Sequence, residues 1–288
     1  MATAKSPMYK LNNGIEMPAL GLGVFHSEPE KTLDAVRSAI ADGYRLIDTA
    51  AAYMNEQQVG EGVRSSGISR EEIFVTTKLW ITDYGYDQTL HAFDRSLRKL
   101  GFDFLDLYLL HWPVPSAFET TVNSYRAAMK LLAEGRVRAI GVCNFRANDL
   151  DKLIEQTGHV PAVNQVELHP FFNQGELRKA DRKYGIITQA WSPIGGVKRY
   201  GAKASKEGPK IPSHIRLWFC LRRTTERLRP RLSCAGRSSW ALLPFRNRYA
   251  RDELPRTSTS STSRLHPRRS EQSTRWIQAS AAAQTPSR

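Results

Sequence analysis

The sequence predicts an α/β fold, a (β/α)8 TIM barrel with an N-terminal β-hairpin and an eighth βα unit that is missing or replaced. Three observations predict it. Seven apolar runs of strand length recur up to Trp191, mostly non-alternating, as strands buried on both faces are. Amphipathic stretches lie between them, and strand-helix repetition means a parallel sheet. No Gly-x-Gly-x-x-Gly follows a strand, which disfavours an open doubly wound sheet and leaves a barrel short of one unit.

Taken in order, Tyr9 to Met17 reads as a hairpin, because Asn13-Gly14 supplies the positive φ of a tight turn. The strand-like runs are Ala19 to Phe25, Arg45 to Thr49, Ile73 to Leu79, Phe104 to His111, Val137 to Val142, Ala162 to Leu168 and Ile186 to Trp191. Ser27 is placed to cap a helix running Pro29 to Asp42, with Leu33, Val36 and Ile40 on one face and Gly43 as its stop. Thr89 to Leu100 sets Leu90, Phe93, Leu97 and Leu100 on one stripe, ended by Gly101. Thr121 to Glu134 and Asn148 to Gln156 behave similarly ahead of Gly135 and Gly158.

Composition bounds the function classes. The chain has 288 residues and a formal net charge of +14, which on its face suggests nucleic acid or an anionic surface. The distribution argues otherwise. Of 42 Lys+Arg and 28 Asp+Glu, 17 and 4 lie in 208–288, which leaves 25 and 24 in 1–207. The body is nearly neutral and the tail carries the excess. Sixteen of the 17 basic tail residues are Arg, and the tail has no Val and two Gly, whereas the body is rich in both. Two regions of different character therefore meet near Tyr200 to Lys210: a barrel of seven strands over 1–207 and an Arg/Ser-rich tail over 208–288. No apolar stretch is long enough to span a membrane. Met1 to Lys10 lacks the apolar core of a signal peptide, and Cys143, Cys220 and Cys234 show no metal-ligand spacing, so a cytoplasmic location is expected.

Active residues of such barrels sit at the C-terminal ends of the strands. Asp48 ends the second run and Tyr53 follows five residues later; Lys78 and His111 end the third and fourth. Asn144 follows the fifth, Gln165 and Glu167 lie in the sixth, and Trp191 and Ser192 end the seventh. An Asp, a Lys, a Tyr and a His converging on one mouth suit carbonyl reduction. Hydride addition leaves an alkoxide that needs a proton. Tyr53 can donate it if the Lys78 ammonium lowers its pKa, with Asp48 holding Lys78 charged. His111 can orient the substrate oxygen by a hydrogen bond, and no metal is required. Each residue alone has a plainer explanation: a buried Asp-Lys pair is often structural, a loop Tyr usually packs, and Trp80 and Trp112 fit barrel-top packing. His169 before Pro170 reads as a turn residue, and His91, His159, His214 and His266 carry no chemistry. The joint placement at successive strand ends is what favours a site.

The residues also carry a family resemblance. The segments are Leu20-Gly-Leu-Gly23, Gly43-Tyr-Arg-Leu-Ile-Asp-Thr-Ala50 with Tyr53 and Asn55-Glu56, Thr77-Lys-Leu-Trp80, Asp106-Leu-Tyr-Leu-Leu-His-Trp-Pro113, Arg138-Ala-Ile-Gly-Val-Cys-Asn-Phe145, Val163-Asn-Gln-Val-Glu-Leu-His-Pro170 and Ala190-Trp-Ser-Pro-Ile-Gly195. In this order and spacing the chain resembles the aldo-keto reductases, NAD(P)H-dependent (β/α)8 oxidoreductases, and its short loops resemble their microbial branch. The resemblance implies that Asp48, Tyr53, Lys78 and His111 form a catalytic tetrad. It implies that Asn144 and Gln165 hydrogen-bond the nicotinamide carboxamide, that Trp191 stacks on the nicotinamide, and that Ser192, Ile194 and Gly195 lie near the pyrophosphate. Phe25, Trp80 and Trp112 match substrate-pocket aromatics. Cys143 departs from the family's usual Ser, and a thiol is a weaker hydrogen-bond donor. The implied cofactor is NADPH, with NADH open. The implied partner is a small carbonyl or alcohol substrate, on a monomer that engages no membrane and no nucleic acid.

The tail does not follow the family. The expected eighth strand with Ile-Pro-Lys-Ser, and the Arg for a 2′-phosphate, do not follow Tyr200; Lys210-Ile-Pro-Ser213 comes too early and out of order. One choice of allowed codons for Leu228 to Phe245, read two nucleotides later, gives Ala-Ala-Gln-Val-Val-Leu-Arg-Trp-Ser-Leu-Gln-Leu-Gly-Val-Val-Thr-Phe-Pro, which resembles the family's seventh helix and eighth strand. Thr274 to Gln278 similarly yields Ala-Leu-Asp-Thr. We read the tail as an out-of-frame translation, which leaves two open barrel edges that unrelated segments cover weakly if at all. Two alternatives stand beside the enzyme: a non-catalytic barrel of the same fold, and a barrel with a basic arm for RNA or an acidic partner.

Overall fold

The computed structural model describes residues 6–194 and 240–244. All of them fall in the first of two compact units, Met1–Arg246; the second, Asn247–Arg288, lies outside the described residues. Strands β1 (Met8–Lys10) and β2 (Glu16–Pro18) form an antiparallel hairpin in which Tyr9 faces Met17. Its turn uses Gly14 at φ +88°, a backbone that a residue with a Cβ adopts only at a cost. Leu11 and Met17 from this hairpin are buried with Leu46, Phe74, Leu107, Ala139 and Val163.

Seven parallel strands then run in chain order: β3 (Gly21–Gly23), β4 (Leu46–Asp48), β5 (Phe74–Leu79), β6 (Leu105–Leu110), β7 (Val137–Cys143), β8 (Val163–Glu167) and β9 (Ile187–Trp191). Each falls within one of the seven apolar runs or overruns it by a single residue. β5 and β6 are buried at every position, which is why those runs do not alternate. The intervening helices are α1 (Pro29–Ala41), α2 (Glu56–Arg64), α3 (Tyr86–Leu100), α4 (Phe118–Ala133), α5 (Ala147–Thr157) and α6 (Gly175–Lys183). They lay apolar stripes on the sheet: Phe93, Leu97 and Leu100 of α3 pack in one core with Tyr108 and Val75. Burying each large side chain contributes roughly 1.5–3 kcal/mol. Among the described residues no helix is long and apolar enough to cross a membrane.

Two details of the sequence reading change. The helix after Ser27 starts at Pro29 with Glu28 in the cap position and no side-chain cap. Ser27 instead accepts a hydrogen bond from Thr32 Oγ1 at 2.9 Å, so its oxygen is turned to a side chain rather than to a helix N–H. Helices α2 and α6 carry no clear apolar stripe: α2 contains Gly60 and Gly62, and α6 reads Gly-Glu-Leu-Arg-Lys-Ala-Asp-Arg-Lys.

The eighth stave of the barrel is β10 (Trp240–Pro244), which closes it between β9 and β3. It runs antiparallel to both, with Trp240 opposite Gly23, Leu242 opposite Gly21 and Pro244 opposite Gln189. The eighth unit is thus replaced by a short strand of reversed direction rather than supplied as a parallel βα unit. The expectations for the rest of the tail fall outside the described residues.

Candidate active site

The site is built where β4 through β9 end. Asp48 is the last residue of β4, and a single 3-10 turn, Ala51–Tyr53, carries the chain to Tyr53. Lys78 is the penultimate residue of β5, and His111 follows β6. The four meet. Lys78 Nζ lies 2.5 Å from Asp48 Oδ1, 2.8 Å from the Thr49 carbonyl and 3.3 Å from the Tyr53 hydroxyl. Those three contacts use all three ammonium hydrogens, which is what allows a lysine with 0% exposure to stay charged in the barrel. The ring of His111 stands 5.7 Å from that of Tyr53, edge to face.

Burial and charge act in opposite senses on these groups. Burial pushes the Tyr53 phenol above its ordinary pKa; Lys78 draws it down but does not prevail. The expected lowering by Lys78 is therefore present but outweighed, because the phenolate has been taken out of water. Burial works against the Lys78 ammonium too, yet Asp48 and Tyr53 outweigh it and hold Lys78 above the usual lysine range. Burial raises the Asp48 carboxyl, with Lys78 and Gln165 pulling it back. His111 is held well below the usual imidazole range by burial and then by Lys78, so it is neutral at physiological pH. Its Nδ1 is buried without a hydrogen-bond partner among the described residues.

A second group of side chains lies on β7 to β9. Asn144 follows β7 at φ +64°. Its Nδ2 donates to the His111 carbonyl at 3.0 Å and contacts Cys143 Sγ at 3.2 Å, and its Oδ1 accepts from Trp191 Nε1 at 3.0 Å. Gln165 Nε2 donates to Asp48 Oδ2 and to Gln189 Oε1, both at 2.8 Å. Among the described residues, Gln165 Oε1 faces only the Cys143 thiol, at 3.8 Å. Ser192 is buried at φ +50°, while Ile194 is exposed; Gly195 lies outside the described residues. The Phe25 ring lies 4.9 Å from that of Tyr53, tilted by 47°, and Trp80 stands 5.1 Å from His111. Trp112 is partly buried, and its carbonyl accepts from Tyr84 Oη at 2.6 Å.

Three residues without a role in the sequence reading belong to this cluster. Thr49 supplies the carbonyl that holds Lys78. Asn55, fully buried, accepts from Thr49 Oγ1 at 2.8 Å and donates to the Val24 carbonyl at 3.0 Å, pinning the segment that carries Tyr53. Gln189 completes the amide pair with Gln165. Thr49 and Asn55 flank Tyr53 in the motif itself, so the signal for them was there.

The donor set fits the nicotinamide end of a dinucleotide. A carboxamide needs an acceptor for its N–H, and among the described residues Gln165 Oε1 has only a poor thiol donor beside it. Trp191 is held at its edge by Asn144, which fixes the plane of its indole.

Comparison with known proteins bears on the fold and the family. The sequence profile of the aldo/keto reductase family matches residues 19–229. Morphine 6-dehydrogenase of Pseudomonas putida is 57% identical over 208 residues, 72% of this chain and 70% of that protein. Glyoxal reductase of Bacillus subtilis is 48% identical over 195 residues, 67% of this chain and 70% of that protein. An aldo/keto reductase from Brucella melitensis superposes with a TM-score of 0.65 at 50% identity, covering 67% of this chain and 75% of that one. A Bombyx mori aldo-keto reductase solved in complex with NADP superposes with a TM-score of 0.68 at 33% identity, covering 76% and 77%. The barrel, the convergence of Asp48, Tyr53, Lys78 and His111, and these matches lead to one conclusion: the chain belongs to the aldo/keto reductase family.

Proposed function

We propose that the protein is an NADPH-dependent reductase of aldehyde and ketone carbonyls, working reversibly with Tyr53 as general acid. The observation that carries this reading is the chain of contacts from Asp48 through Lys78 to the Tyr53 hydroxyl, 2.5 Å and 3.3 Å long. Bound across Asn144, Gln165 and Trp191, the cofactor supplies a hydride. Tyr53 gives its proton to the substrate oxygen as negative charge develops there. Lys78 stabilises the phenolate left behind, and Asp48 keeps Lys78 charged and aimed. Neutral His111 orients the substrate oxygen. Phe25, Trp80 and Trp112 surround the substrate and keep water from the transferring proton. Asn144 and Gln165 would hold the carboxamide, Trp191 would stack on the ring, and Ser192 and Ile194 would lie toward the pyrophosphate; the same role expected of Gly195 falls outside the described residues. A cytoplasmic monomer acting on a small molecule is the setting this chemistry suits.

Tyr53→Phe tests the reading. It removes the proton and little else, so turnover of a model aldehyde is expected to disappear while NADPH binding, followed by tryptophan fluorescence, stays within about twofold. Turnover retained in Tyr53→Phe overturns the mechanism.

A further inference from the structure

We propose that Gln189 is a positioning residue: its carbonyl oxygen fixes the amide of Gln165 in the one orientation that clamps Asp48 and leaves Gln165 Oε1 open to a ligand N–H. The inference rests on the reading of Gln165 as a cofactor contact. A buried primary amide has two orientations with oxygen and nitrogen exchanged. The Asp48 carboxylate only accepts; its Oδ1 takes Lys78 and its Oδ2 takes Gln165 Nε2. The nitrogen of Gln165 must therefore face Asp48. Its second hydrogen goes to Gln189 Oε1 at 2.8 Å. Both hydrogens are now committed, and the amide plane is fixed at two points rather than one.

The sheet makes this pairing possible. Gln165 and Gln189 are direct partners in the β8–β9 ladder. Gln189 lies two residues before Trp191, so the same face of β9 presents both side chains. Gln189 is 0% exposed, and its Nε2 has no hydrogen-bond partner among the described residues. An apolar side chain of the same length leaves no such orphan. What Gln189 supplies that an apolar residue cannot is the acceptor for Gln165. Without it, Gln165 pivots about its single bond to Asp48, and Oε1 loses its fixed direction.

The test is NADPH binding to the full chain, measured by tryptophan fluorescence, in Gln189→Met, Gln189→Glu, Gln165→Leu and the Gln165→Leu/Gln189→Met pair. Gln189→Met keeps length and removes the acceptor; about a tenfold weaker Kd is expected. Gln189→Glu keeps an acceptor oxygen and is expected to bind within about threefold of wild type. In the Gln165→Leu background, Gln189→Met is expected to add no further loss. Equal weakening by Met and Glu, or a Gln189→Met loss of the same size in both backgrounds, overturns the inference and makes Gln189 a packing residue. If Gln165→Leu weakens binding and Gln189→Met does not, the inference alone falls. If Gln165→Leu leaves binding unchanged, the reading of Gln165 falls first. Should Gln189→Met fail to fold, Gln189→Leu carries the same contrast with Gln189→Glu.

Discussion

Asp181 on α6 offers a perturbation whose size and pH dependence both follow from the structure. It is fully buried, accepting from Thr188 Oγ1 at 2.6 Å and from Asn164 Nδ2 at 3.2 Å. Burial pushes its carboxyl from the ordinary 3.8 up to about 6, against the pull of those hydrogen bonds and of Arg182. An acid whose pKa is raised on folding gives stability that is fully present below its unfolded pKa and lost as pH rises through its folded pKa. The loss here runs between about pH 4 and pH 6 and amounts to about 3 kcal/mol when complete. Asp181→Asn removes the ionisation and keeps the shape. On the Oδ2 side its new N–H meets Thr188 Oγ1, a hydroxyl that can accept as well as donate. The variant is therefore expected to be more stable than wild type by about 3 kcal/mol at pH 7.5 and by only a small fraction of that at pH 4. Urea unfolding at the two pH values in the same salt measures this, and the thermal midpoint at pH 7.5 rises by roughly 6–12 °C. An equal effect at both pH values refutes the ionisation argument. A destabilisation that grows with pH reverses its sign and refutes it outright.

Other outcomes follow from the same contacts. Lys78→Met takes away the one cation touching Tyr53 among the described residues and leaves burial and the Asp48 charge both raising the phenol, so turnover of a model aldehyde is expected to fall by about a hundredfold or more; an unchanged rate between pH 6 and 9 removes Lys78 from the mechanism. Gly60→Ala, in the middle of α2, would ordinarily stabilise a helix by about 1 kcal/mol. Here its Cβ would sit 1.9 Å from the Leu100 carbonyl oxygen and 2.6 Å from its carbon, a backbone group at the end of α3. The expected result is a loss of about 1–3 kcal/mol, read as a lower thermal midpoint.

The legible parts of this fold were those whose physics is local. Runs such as Phe74–Leu79 and Leu105–Leu110 are apolar because both faces are covered, and that shows in the residues themselves. Gly101 and Gly158 close α3 and α5 at φ +67°, again a local demand. Asp48, Lys78 and His111 were legible as a cluster because they lie at or beside strand ends, positions that the order of runs already defines, and Tyr53 because it lies in the short turn after one of them. What depends on register was not. Gln165 and Asp48 are 117 residues apart and meet only because the barrel closes. Gln189 is one polar residue in an apolar run until the β8–β9 pairing sets it opposite Gln165. Helix α6 hid for another reason: its most buried side chain is Asp181, so the residue that faces the core is the one a hydrophobic pattern rejects.

The eighth stave joins the sequence to the fold most directly. Trp240–Pro244 fills the gap between β9 and β3 with its N-terminal Trp240 beside Gly23, the mouth end of β3. A parallel strand would instead deliver its C-terminal end to the mouth, and with it the following loop, where such barrels keep their chemistry. One choice of allowed codons for this same stretch, read two nucleotides later, gives Gly-Val-Val-Thr-Phe-Pro at the end of the longer run. We therefore propose that 208–288 is the gene region of an eighth strand read out of frame, and that Trp240–Pro244 only fills the gap which the missing parallel strand leaves between β9 and β3. Resequencing across codons 195 to 250 tests this, together with expression from a gene set to the alternative frame. A single inserted or deleted base, and a restored protein that melts higher and prefers NADPH over NADH more strongly, are the expected results. If the frame stands and the restored chain gains neither stability nor preference, the antiparallel stave is the native closure, and the arginines of the tail need a role of their own. A salt-sensitive affinity for RNA then becomes the measurement that decides whether they have one.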